Sequence, residues 1–218
     1  MMKTEYLKRY LFLGMGLFIM SFGVAFSIKA NLGTSPISSV PYVISLISPI
    51  TVGQATIVMH CVFILLQMLI LGKRYQLIQL MQLPTAFVFG VMTDFAVWLL
   101  GGVTYSSYLM QWLLCLLGIV MVAAGVSLEV TAAVVTLAGE GLVLAICQVV
   151  PVKFGSMKMC FDGMLVVIAV LIGISAKGAV LGVREGTVAA AVLVGLLSRL
   201  ICKPMMKVMD QLINQKQR

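Results

Sequence analysis

Six apolar stretches recur along this chain, at residues 10–28, 52–71, 84–100, 108–128, 159–176 and 187–202. A helix needs about 17–25 mostly apolar residues to cross a bilayer. The first five stretches meet that length, and the last meets it by extension through Gly186 or past Cys202. A chain carrying six such stretches has one environment in which it can fold, and composition agrees. Hydrophobic residues make up 61% and charged residues 10%, against about 45–50% and about 25% in soluble domains. This excludes a soluble enzyme, a disordered chain and a nucleic-acid-binding domain. The net charge of +8 rests on 15 basic residues, too few to form a nucleic-acid surface. The five cysteines form no CxxC pair, so neither a zinc site nor a disulfide framework is expected. No metal and no cofactor is expected. The basic N-terminus followed by a long run ending in SIKANLG reads as an uncleaved first span rather than a signal peptide.

Two further apolar segments are interrupted. Residues 36–47 contain Pro36 and Pro41 with Pro49 just beyond, and residues 134–150 contain Gly139, Glu140 and Gly141. Lipid cannot satisfy the backbone groups that such breaks release. Both segments are therefore expected as half-helices or re-entrant hairpins, buried in protein or lining a wet cavity. With six spans, twelve basic residues fall on the side of the termini and three on the other. This predicts cytoplasmic termini and a multi-pass inner-membrane protein. Counting the broken segments as full spans would move Lys73 and Arg74 outside, against that bias. The tail, 205–218, alternates basic and apolar residues and is expected at the anionic inner leaflet.

A shift of 102 residues aligns 23–70 with 125–172 without a gap, and nine of the 48 positions are identical. The order of elements repeats as well: span, broken segment, Pro, three residues, Gly, span, short span. Three spans per half require the halves to insert in opposite directions. The expected fold is thus an all-α polytopic membrane protein with six spanning helices and two broken segments, built as two inverted-topology repeats, 1–104 and 105–204. Such repeats are common in secondary transporters, whose sites lie where broken helices meet. Duplication serving stability alone is the competing reading.

An ionisable group within a membrane costs about 2.5–3.5 kcal/mol on insertion scales. His60, Asp94, Glu129, Glu140 and Asp162 are the residues that incur it. Glu140 lies between glycines and aligns with Ser38; it is expected to bind solute or proton, or to cap a half-helix. His60 aligns with Asp162, so a His–Asp relay competes with an Asp162–Lys158 pair four residues apart on one helix. Asp94 must face the bundle interior, in a structural or a functional role, and Glu129 is expected at the cytoplasmic end of its span. Arg184 and Glu185 read as an extracellular turn pair. Asn31, Thr34, Ser35, Ser38 and Ser39 offer helix caps and hydroxyls for a small solute. The expected site places Glu140 among Thr34, Ser35, Ser38 and Ser39, with His60 and Asp162 one layer out.

The segments SIKANLGTSPISSVPYVIS, AGEGLVLAICQ and GVREGTVAAAVLVG resemble the YczE/YyaS/YitT family of small bacterial integral membrane proteins. That family often has Pro before Gly-Asp; here Ala138 and Glu140 stand in those places, which keeps the acid and alters the kink. The resemblance implies a bacterial inner membrane and a candidate transporter; it implies little chemistry. The expected function is a secondary transporter or channel for a small polar or ionic solute, its partners being lipid, that solute and a second copy of the chain in a homo-oligomer. The alternative is a non-transporting membrane partner or scaffold. An enzyme is not expected, since one histidine and no nucleophile motif leave little to catalyse with.

Overall fold

The computed structural model describes residues 2–214; Lys216 and Arg218 of the basic tail lie outside them. Among the described residues the protein is all-helical. The helices are α1 (Met2–Ala30), α2 (Pro36–Ile47), α3 (Val52–Leu71), α4 (Gln82–Leu99), α5 (Tyr108–Ala132), α6 (Ala138–Val149), α7 (Phe154–Lys177) and α8 (Glu185–Asn214). Six are long and apolar enough to cross a membrane. The two short ones, α2 and α6, have 12 residues each. At about 1.5 Å per residue, neither crosses a hydrocarbon core about 30 Å thick.

The central contact is between α1 and α5, which pack antiparallel through glycine. Gly16 lies against Gly125, and Gly23 against Gly118. A Cβ on Gly23 would lie 2.6 Å from the Val122 nitrogen, and one on Gly125 would lie 2.6 Å from the Gly16 oxygen. Lipid offers no hydrophobic drive between helices, so small residues that admit close backbones carry such interfaces. At the N-terminal end of α1, the Arg9 guanidinium donates to the Ala132 carbonyl at 3.2 Å. That places a cation on the negative end of α5.

The remaining contacts come in matched pairs. α1 packs on α4 as α5 does on α8, α2 on α7 as α3 does on α6, and α2 on α3 as α6 does on α7. Directly after α1 and α5 stand the two non-glycine residues with left-handed backbone among the described residues, Asn31 (φ 55°) and Ala133 (φ 50°). They are 102 positions apart.

One contact lacks its counterpart. α3 and α4 pack closely, Gly53 against Gly90, while α7 and α8 make no comparable contact. The positions matching Gly90 and Asp94 are Val192 and Leu196, both exposed on α8. Without the glycine notch and the acid, α8 leans mainly on α5. Pro204 does not end it, and the helix runs through to Asn214.

Candidate functional site

α2 and α6 meet at their N-terminal turns. The side chain of Ile37, in the first turn of α2, lies where a Cβ on Gly139 would be. Around that meeting point Val40 and Val43 of α2, Leu142 and Val143 of α6, Phe63 of α3 and Phe161 of α7 form one buried cluster. Both broken segments are thus in the protein interior, where neighbouring helices cover the released backbone.

Glu140 stands in the first turn of α6, where the helix dipole favours an anion. Its Oε1 lies 3.6 Å from Lys158 Nζ on α7. Lys158 also donates to Asp162 Oδ1 at 2.8 Å, four residues along the same helix. Glu129 is buried and accepts the Leu137 N–H at 2.6 Å, capping α6 from α5. It is therefore not at an interface, as expected from its place at the end of a hydrophobic run, but in the core. Glu140 is within electrostatic reach of both Glu129 and His60.

The glycines beside Glu140 serve helix approach. Gly139 admits Ile37, and Gly141 admits an amide pair: a Cβ there would lie 2.7 Å from Gln82 Nε2 and 2.9 Å from Gln67 Oε1. Gln67 Nε2 donates to Gln82 Oε1 at 2.9 Å and to the Ala138 carbonyl at 3.1 Å. The sequence reading passed over these amides; an uncharged Gln inside the run 52–71 was the available signal.

The hydroxyls of α2 are engaged mostly within it. Ser35 donates to Ser38 Oγ at 3.1 Å, and Ser39 donates to the Ser35 carbonyl at 3.0 Å. Thr34 is buried, and its Oγ1 has no partner. Asn31 stands apart and exposed. Its amide donates to the Tyr105 hydroxyl at 3.1 Å, and its carbonyl accepts from Arg184 at 3.0 Å. Arg184 also pairs with Glu185 at 3.2 Å, the turn pair read from the sequence. Glu140 is bonded to Lys158 rather than to the α2 hydroxyls, and Asp162 is paired with Lys158 rather than with His60.

Residues 7–203 match a family described as a family of unknown function, DUF6198. The chain belongs to that family. It is also similar to the uncharacterized protein YyaS of Bacillus subtilis (strain 168), 26% identical over 121 residues, or 55% of this chain and 59% of that protein. The DUF6198 chain thus spans little more than half the length of that curated relative, and the likeness bears out the YyaS part of the resemblance. No solved structure matches it.

His60 and Asp94 are the remaining ionisable residues that the sequence marks in this DUF6198 protein. His60 is sealed in the core between Phe63 and Phe89, ring centroids at 6.0 and 6.3 Å, and its Nδ1 has no partner. Asp94 lies away from α6. Its Oδ2 accepts from the Thr51 hydroxyl at 2.5 Å and its Oδ1 from the Gly53 N–H at 2.7 Å. That is a structural role, tying the start of α3 to α4.

Proposed function

We propose that the protein is a secondary transporter or channel for a small polar or ionic solute, with its site where α2 and α6 converge. The observation that carries this reading is the meeting of two helices too short to span, N-terminus to N-terminus, beside the Glu140–Lys158–Asp162 cluster. A half-buried ionisable cluster among spanning helices is costly in a membrane protein and is retained where it serves a pathway. The reading includes an inverted-topology repeat, supported by the antiparallel α1–α5 contact, the paired helix contacts and the left-handed residues at matched positions. In it α2 and α6 enter from opposite leaflets, the halves are 1–104 and 105–204, and both termini face the cytoplasm of a bacterial inner membrane. Thr34 and Ser35, just before α2, and Ser38 and Ser39 within it line the approach from one side, with Asn31 at its rim. The reading assigns no catalysis.

The test is Glu140→Gln, which keeps the shape of the side chain and removes its charge. Uptake of a solute by purified protein in liposomes is expected to fall at least about tenfold, as loss of a charge-assisted contact implies, with the variant still folded and inserted. Wild-type uptake by that variant would overturn the site.

A second reading, a non-transporting partner or scaffold, has one observation in its favour: few residues along the α8 span are buried, and the face turned away from α5 is one that a partner protein can cover. A solute screen in liposomes that finds no uptake, joined to stable co-purification with one membrane protein, would favour it.

A further inference from the structure

The charged groups around Glu140 do not balance. Glu129, Glu140 and Asp162 bring three carboxyl groups, and Lys158 supplies the ammonium that pairs with two of them. Lys158 Nζ lies 2.8 Å from Asp162, 3.6 Å from Glu140 and 5.8 Å from the centroid of the Phe161 ring. Two carboxylates and a ring face are the surroundings an ammonium group seeks, through charge-assisted hydrogen bonds and the ring quadrupole.

The aromatic series continues inward. Phe161 lies 5.4 Å from Phe63, and Phe63 lies 6.0 Å from His60. At its end His60 is 1% exposed, with Nδ1 unpartnered and Glu140 within electrostatic reach. A buried imidazole nitrogen left without a partner is costly whichever of the two ring nitrogens carries the proton. The side chains of Lys158, Glu140 and Asp162 remain 25%, 21% and 21% exposed. The outer part of the cluster is therefore reachable, while the inner imidazole nitrogen is sealed and unpartnered.

We infer that Lys158 is the tethered occupant of a site for a small primary ammonium ion. When the four-carbon Lys158 stem swings out, an ammonium-bearing solute takes the place of Nζ on Glu140 and Asp162 beside Phe161, and farther in His60, in the tautomer protonated on Nε2, offers Nδ1 as the next acceptor. The ring faces suit an organic ammonium. A metal ion is less well served, since among the described residues no three His, Cys, Asp or Glu side chains stand together as ligands. The inference rests on the proposed solute site and names the class of solute it takes.

Methylammonium is the probe, and its binding to the purified full-length protein in detergent is measured by equilibrium dialysis. A tethered group competes at millimolar effective concentration or higher, so Lys158→Ala is expected to bind methylammonium at least about tenfold more tightly than wild type. Adding Glu140→Gln to that variant is expected to abolish the gain, and choline, which has no N–H donor, is expected not to compete. Should Lys158→Ala fail to fold, Lys158→Met keeps the bulk, and methylammonium is expected to raise its melting temperature more than that of wild type. Affinity unchanged by loss of Lys158, or binding that survives Glu140→Gln, would show a salt bridge and nothing more. Binding without uptake in liposomes would overturn transport and leave this site standing. Uptake of other solutes without methylammonium binding would do the reverse.

Discussion

Asp94 shows how an acid inside a membrane span can be satisfied by its neighbours. Its two oxygens hold the Thr51 hydroxyl and the Gly53 N–H, so it finishes the N-terminus of α3 from a neighbouring helix. Asp94→Ala is expected to destabilise the protein by about 1–3 kcal/mol, the cost of leaving such donors unmet. Asp94→Asn, which keeps one acceptor oxygen, is expected to lose less. Thermal unfolding of the two variants in detergent checks both the direction and the order. The sequence marked Asp94, Glu140, His60 and Asp162 as costly, because a charge in an apolar run is visible without a structure. Of their partners it named Lys158 for Asp162, and missed the others. Lys158 lies four residues from Asp162, a spacing that helix geometry makes legible, but it lies 18 positions from Glu140 across a break and a turn. No periodicity connects the two. Glu129 failed for a related reason: its place at the end of a run said interface, while the Leu137 N–H that draws it inward belongs to a later element.

Among the elements, glycine decides which helices touch. A Cβ on Gly23 meets the backbone of α5 rather than the end of a flexible side chain, so α1 and α5 must move apart to accept it. Gly23→Ala is expected to cost about 1–3 kcal/mol, as overpacking does. Gly14 lies on the same helix with nothing within 4 Å of an added Cβ. Gly14→Ala is expected to stabilise by up to about 1 kcal/mol through helix propensity. Melting temperatures that move in opposite directions confirm the assignment; a shared direction refutes it. The six spans and both breaks were legible because hydropathy and Pro or Gly report them directly. Their ends were not. α1 begins eight residues before the apolar run at 10–28, and α7 five residues before the run at 159–176. Helices continue into the interface, where polar residues keep the hydrogen-bond ladder but carry no hydropathy signal. The first four residues of 134–150 lie outside α6 for a different reason: Glu129 takes the Leu137 N–H, and the helix starts only after it.

At the scale of the whole molecule, the proposed orientation rests on the placement of charge, which in the sequence reading puts twelve basic residues on one side and three on the other. Alkaline phosphatase fused after Arg218 is expected to be inactive, and the same enzyme inserted at Ser106, between α4 and α5, is expected to be active. The opposite pattern would sink the assignment of cytoplasmic termini. The charges also divide unequally between matched positions: Ser27 with Glu129, Ser38 with Glu140, Thr56 with Lys158, His60 with Asp162. In each pair the formally charged side chain belongs to the second half. Similar backbones therefore hold unlike chemistry, and Glu140 is served by groups for which the first half has only neutral stand-ins.

Ala133 makes the same point in its torsion angles. A left-handed residue with a Cβ costs about 1–2 kcal/mol, and Asn is among the few side chains that offset it locally. Asn31 has that side chain; Ala133 does not, yet both chains bend there, at φ 55° and 50°. The bend at Ala133 is thus held by what surrounds it, with no help from its own residue. A backbone can take one shape with or without the amino acid that favours it, and in this protein two torsion angles agree at positions, 102 apart, whose letters differ.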